Sequence, residues 1–122
     1  MGDSRRVLII EDEDLLASLI QRMMNRLGFE TFTATTGSEG LRELERLNQD
    51  LDLIIVDYHL PDISSYDIIR QVHNLSPSLK VLLTSGYPLD MLTGIKRDDI
   101  NGFLAKPFDF NQIKSTVTTL FA

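Results

Sequence analysis

Leu53-Ile54-Ile55-Val56-Asp57 sets four branched apolar residues directly before a carboxylate. A run that is apolar at every position, rather than every second one, fits a strand buried on both faces of a sheet. Ending such a strand on an acid is costly unless the charge is paired or metal-bound. Asp57 is therefore the first residue to read as functional. Towards the N-terminus, Val7-Leu8-Ile9-Ile10 is a second run of the same kind, followed at once by Glu11 and Asp12. Between the two runs, Asp14 to Leu27 carries Leu15, Leu16, Leu19, Ile20, Met23 and Leu27 at helical spacing, with Gly28 as the stop. Phe29 to Ala34 reads as a strand diluted by Glu30, Thr31 and Thr33, which places it at an edge. Ser38 to Leu47 repeats the helical pattern through Leu41, Leu44 and Leu47.

Beyond Asp57, a third helix is expected from about Ser65 to Leu75, with Ile68, Ile69 and Val72 inward. A fourth strand runs from Leu79 to Thr84, entered through Ser76-Pro77. A short, weaker fourth helix is expected over Pro88 to Lys96, then a brief strand at Gly102-Phe103-Leu104-Ala105. Phe110, Ile113, Val117 and Leu120 mark a fifth helix. Strands alternating with helices make an α/β fold, a doubly wound five-stranded parallel sheet with five helices on its two faces. Residues 1–122 read as one domain, with no linker, internal repeat or second domain expected.

Charge narrows the function. With a net charge of -6, no binding to nucleic acid by this chain and no docking on anionic membranes are expected. There is no cysteine, hence no disulfide or thiolate chemistry. The segment from Met1 to Arg6 lacks the apolar stretch of a signal peptide, and no run is long enough to span a membrane.

In an open parallel sheet, function collects at the carboxyl ends of the strands. There the chain places Glu11 and Asp12, then Asp57, then Thr84 and Ser85, then Lys106 before Pro107. Each alone has an ordinary reading: Asp12 as a helix cap, Thr84 as a satisfied hydroxyl, Lys106 as a surface charge. Together they form a site. Clustered carboxylates repel and raise one another's pKa, which a divalent cation relieves. An all-oxygen donor set suits Mg2+. Asp57 could then act as a nucleophile towards phosphorus, with Lys106 as counter-charge and Thr84 donating to a phosphoryl oxygen.

These residues, in this order and spacing, resemble the response regulator receiver domain of two-component systems over essentially the whole chain. Val7 to Asp12 is similar to that family's first strand and acidic pair. Leu53 to Asp57 is similar to the strand ending in its phosphoacceptor. Asp57-Tyr58-His59-Leu60-Pro61 matches its acceptor loop, Leu83-Thr84-Ser85-Gly86-Tyr87 its switch hydroxyl, Phe103 its switch aromatic, and Lys106-Pro107-Phe108 its lysine and typically cis proline. The resemblance implies a flavodoxin-like sheet of strand order 2-1-3-4-5. It implies Mg2+ held by Asp12, Asp57 and the backbone carbonyl of His59, with Glu11 acting through water. It implies a phosphohistidine donor on a histidine kinase or histidine phosphotransfer protein, and a cytoplasmic domain that assists its own phosphotransfer and dephosphorylation without being a turnover enzyme. A downstream partner would meet the fourth helix, fifth strand and fifth helix, roughly Pro88 to Phe121, a face that could also support a homodimer on phosphorylation.

The chain departs from the family where Ser64 and Ser65 replace an acidic residue and glycine, which implies an altered or strained acceptor loop. His59 either tunes the lifetime of the phosphoryl group or is simply an exposed loop residue. His73 is expected at the surface. Phe103 either rotates inward as a switch or stays as a core ring. Two alternatives remain: a haloacid-dehalogenase-type phosphatase using Asp12 in Asp12-Glu13-Asp14, and a receiver-like interaction domain that works without phosphorylation.

Overall fold

The computed structural model describes residues 4–122, so the N-terminal residues Met1 to Asp3, expected to carry no signal segment, lie outside it. The chain alternates β1 (Arg6–Ile10), α1 (Asp14–Arg26), β2 (Glu30–Ala34), α2 (Gly37–Leu47), β3 (Leu53–Asp57), α3 (Ser65–Leu75), β4 (Lys80–Ser85), β5 (Gly102–Ala105) and α4 (Phe110–Leu120). The strands form one parallel sheet in the order β2-β1-β3-β4-β5. The fold class and strand order expected from the sequence are borne out. β2 is the edge strand its polar residues indicated, and β3, buried at all five positions, is central.

Side chains alternate across a strand, and the two faces of the sheet sort accordingly. Leu8, Ile10, Ile54, Val56, Val81 and Leu83 pack with α2 and α3 through Leu44, Ile68 and Val72. Val7, Ile9, Leu53, Ile55, Leu82 and Leu104 pack with α1 and α4 through Ile20, Met24, Ile113 and Val117. Burial on both faces is why β1 and β3 read as unbroken apolar runs.

The expectation of five helices is corrected to four. Pro88 to Lys96 forms no helix: the chain instead makes one-turn 3₁₀ segments at Leu89–Met91 and Arg97–Asp99, with Leu92 and Lys96 extended. Gly94 sits at φ +83°, outside the helical region. Leu89, Leu92 and Ile95 are spaced as a helix face would be, but only Ile95 is buried. The backbone of Thr93 is satisfied from outside the segment: the Tyr58 hydroxyl donates to its carbonyl (2.9 Å) and accepts from its amide (3.1 Å). His73 is likewise drawn in rather than left at the surface. It is half-buried, and its Nε2–H donates to the Asp99 carbonyl at 2.7 Å.

Close approach of α2 to the sheet depends on Gly40. A Cβ there would collide with Cδ1 of Ile10 and stand 2.9 Å from its Cγ1, and Ile10 is fully buried. Gly40→Ala gains up to about 1 kcal/mol of helix propensity but forces overpacking that costs about 1–3 kcal/mol. Urea unfolding should show a net loss of stability; a variant as stable as wild type would contradict this packing account.

Candidate phosphoacceptor site

The site continues one face of the sheet beyond its apolar part. The α1/α4 side of β1 runs Val7, Ile9 and then Glu11; that of β3 runs Leu53, Ile55 and then Asp57. On β4 the same side runs from Leu82 to Thr84, and on β5 from Leu104 to Lys106. Parallel register sets Ile9 beside Ile55, Ile55 beside Leu82, and Asp57 beside Thr84. The four candidate side chains therefore meet because each lies two residues past a core residue on the same face.

At the centre, the Lys106 ammonium lies 2.9 Å from Oδ1 of Asp57 and 3.0 Å from Oε1 of Glu11. Both contacts are ion pairs, and Oε1 of Glu11 is buried with no hydrogen-bond partner. Oε2 of Glu11 accepts from the Glu13 amide at 3.2 Å. The Thr84 hydroxyl stands 3.5 Å from Oδ1 of Asp57, within reach but too long for a strong bond. Lys106 enters through a cis peptide bond to Pro107, as the resemblance implied.

Burial pushes the carboxyl groups of Asp57 and Glu11 above their ordinary pKa, and Lys106 only partly offsets this. Burial also opposes the Lys106 charge, yet its bonds to Asp57 and Glu11 hold the ammonium above its ordinary value. These shifts fit together physically. One cation faces two buried carboxylates, so the cation keeps its proton and the acids lack a full complement of positive charge.

Asp12 supplies the third acid. Oxygens of Glu11, Asp12 and Asp57 all lie within 4.8 Å of one another. The helix-cap reading of Asp12 does not hold: the cap position of α1 is Glu13, which makes no side-chain cap bond. Asp12 is exposed, with its carboxylate directed into the acid cluster. An all-oxygen, charge-deficient cluster of this kind fits a hard divalent cation.

The remaining expected residues lie around this centre. The ring of His59 is exposed, stacked edge-on to Tyr58 (centroids 5.0 Å apart) and tilted against Tyr87 (5.9 Å). Phe103 is half-buried against the α2/α3-side core and lines a groove of about 690 Å³ with Tyr87, Leu89 and Arg97, away from the acids. The loop strain expected from Ser64-Ser65 is absent: no described non-glycine residue has a positive φ, and Ser64 caps α3 by accepting from the Asp67 amide at 3.1 Å. Asp62 escaped sequence reading. Its carboxylate accepts from the amides of Gly37 (2.8 Å) and Ser38 (3.0 Å) and from the Ser38 hydroxyl (2.7 Å). Those bonds, led by the Ser38 hydroxyl, lower its pKa to about 2. Nothing near Asp62 in the chain announces partners 24 and 25 residues away.

Residues 7–118 match the family model described as the response regulator receiver domain. The sensor kinase CckA of Brucella abortus is 30% identical over 118 residues, covering 96% of this chain and 12% of that protein. The cell cycle response regulator CtrA of Brucella ovis is 31% identical over 115 residues, covering 88% of this chain and 46% of that protein. The chain thus spans less than half the length of either relative. Among solved structures, the receiver domain of the hybrid histidine kinase CckA superposes with a TM-score of 0.80 at 28% identity, covering 96% of this chain and 99% of that one.

An acid whose folded pKa is raised stabilises the fold most below its unfolded value, here 3.8 for Asp57, and loses that contribution as pH rises through the folded pKa. In metal-free buffer, urea unfolding of Asp57→Asn and wild type should therefore favour the variant more at about pH 7 than at about pH 4. A pH-independent difference would refute the charge deficit.

Proposed function

The chain belongs to the response regulator receiver domain family, and on that basis we propose that Asp57 is the phosphoacceptor of a two-component system, working with Mg2+. The observation that carries this reading is the Lys106 ammonium bridging Asp57 and Glu11 inside a three-acid cluster.

Asp57, Asp12 and the His59 backbone carbonyl would hold the magnesium ion, with Glu11 acting through water. When bound, the ion screens the carboxylates and polarises a phosphoryl oxygen. The chain's own residues do the rest. Lys106 holds Oδ1 of Asp57, which orients the carboxylate so that Oδ2 can attack the phosphorus of a phosphohistidine in line. The new O–P bond forms as the N–P bond breaks, and the imidazole leaves with the electron pair. Lys106 then neutralises charge on the transferred group, and the Thr84 hydroxyl, now long from Asp57, moves in to donate to a phosphoryl oxygen. Such transfer is positioning and charge neutralisation more than covalent chemistry by the protein.

The donor would be a histidine kinase or histidine phosphotransfer protein, and the setting the cytoplasm. Among the described residues no helix is long and apolar enough to cross a membrane. Movement of Thr84 would be read by Phe103 and the groove it lines, which offers a downstream protein partner a face and could also seat a second copy of the chain. Because Pro88 to Lys96 is irregular, that face here consists of turns, β5 and α4 rather than two helices.

Incubation with magnesium and a small acyl phosphate, followed by intact mass, tests the reading. One phosphoryl group should be gained in wild type, and lost without magnesium or in Asp57→Asn. Labelling that survives Asp57→Asn and disappears in Asp12→Asn would instead support the phosphatase reading, and none at all the phosphorylation-independent one. His59, whose exposed ring packs against Tyr58 and Tyr87, is expected to tune phosphoryl lifetime. Decay of the phosphorylated form should differ between wild type and His59→Ala across about pH 6 to 8; identical rates throughout would remove that role.

A further inference from the structure

We propose that Asp62 is a positioning residue for the metal site, holding the acceptor loop to the start of α2 so that the His59 carbonyl is presented to the acid cluster. This rests on the reading of Asp57 and its neighbours as a magnesium site.

Residues 58–64 connect β3 to α3, and Asp62 is their one side-chain tie to another element that grips by a charged group. At the front of the loop, the Tyr58 amide donates to the Thr84 carbonyl at 2.8 Å and extends the sheet ladder by one residue. At the back, Ser64 caps α3. Between those anchors lie His59, Leu60 and Pro61; the Tyr58 hydroxyl is tied to Thr93 and Leu60 packs against the α2/α3-side core, and Asp62 adds the charged grip on this stretch. Its two carboxylate oxygens take three donors: Oδ1 accepts from the Gly37 amide, Oδ2 from the Ser38 amide and hydroxyl. Charge-assisted bonds of this kind are stronger than neutral ones, and two oxygens gripped separately fix direction as well as distance.

α2 does not need Asp62 for its own cap. Thr36 already caps it, accepting from the Glu39 amide at 3.1 Å. The donors given to Asp62 are additional, and they come from a helix that is locked to the sheet through Gly40 and Ile10. Gly37 shows how close the contact is. A Cβ there would stand 2.9 Å from Cβ of Ile63 and 3.0 Å from Oδ1 of Asp62. The loop is therefore pressed onto α2 across a junction that admits no side chain.

Groups that hold a ligand in place typically change metal affinity by ~10–100-fold when removed. The test is a magnesium titration of the full chain without any phosphodonor, followed through the amide resonances of Asp12 and Tyr58 at a temperature where every variant is folded. Asp62→Ala should raise the magnesium Kd about tenfold. Asp62→Asn keeps one oxygen for the Gly37 amide, retains the side-chain size and should fall between the two; it reports in place of Asp62→Ala if the latter fails to fold. Thr36→Ala is the comparator: it removes the cap of α2 and lowers stability without touching the loop, so its Kd should equal that of wild type. Wild-type affinity in the Asp62 variants, or equal weakening in Thr36→Ala, would overturn the proposal. A wild-type chain with no magnesium-dependent shifts would overturn the magnesium reading itself and this inference with it.

Discussion

A single ammonium placed between two buried carboxylates is the interaction on which the rest of this molecule turns. Lys106 reaches Asp57 and Glu11 at once, from a strand two positions away from β3 in the sheet, with β4 between. One positive charge cannot satisfy two acids, still less three once Asp12 is included. A buried ion pair of this kind is weak evidence for stability, because desolvation offsets much of the attraction. Its value is chemical: it orients a carboxylate and only partly offsets the effect of burial on it, leaving a deficit of positive charge that a further cation would fill.

That deficit is built by simple means. Parallel strands buried on both faces alternate their side chains between two cores, and the site extends one of those alternations past the apolar region. Glu11, Asp57, Thr84 and Lys106 each follow a core residue by two positions, so the packing that seats Ile9, Ile55, Leu82 and Leu104 also aims the polar groups. Around this centre, the loop that follows Asp57 is fixed from three sides. Tyr58 reaches the irregular segment at Thr93, Asp62 reaches α2, and Ser64 caps α3. The first of these ties joins the residue next to Asp57 to the irregular segment that stands where a fourth helix was expected.

Wherever a local signal determined structure, the sequence was enough to read it. The apolar runs before Glu11 and Asp57 placed β1 and β3, the polar residues of β2 marked an edge, and Gly28 ended α1. Asp57, Thr84 and Lys106 were legible because each ends or follows a strand. Failures came where a distant partner overrode the local pattern. Leu89, Leu92 and Ile95 are spaced for a helix, but Gly94 turns the chain and Tyr58, 35 residues away, takes the Thr93 backbone. His73 looked like surface and was claimed by Asp99; Asp62 carried no local signal and binds the backbone of Gly37 and Ser38. The Ser64-Ser65 pair looked strained, and instead Ser64 caps α3.

Which carboxylate takes up phosphorus decides the role of the acid cluster. The direct measurement is to treat the chain with magnesium and an acyl phosphate, reduce it with borohydride, which converts an aspartyl phosphate to homoserine, and locate the homoserine by peptide mass spectrometry. Homoserine at position 57 alone is the result the geometry around Lys106 predicts. Homoserine at position 12, or none anywhere in a folded, magnesium-loaded chain, would contradict it.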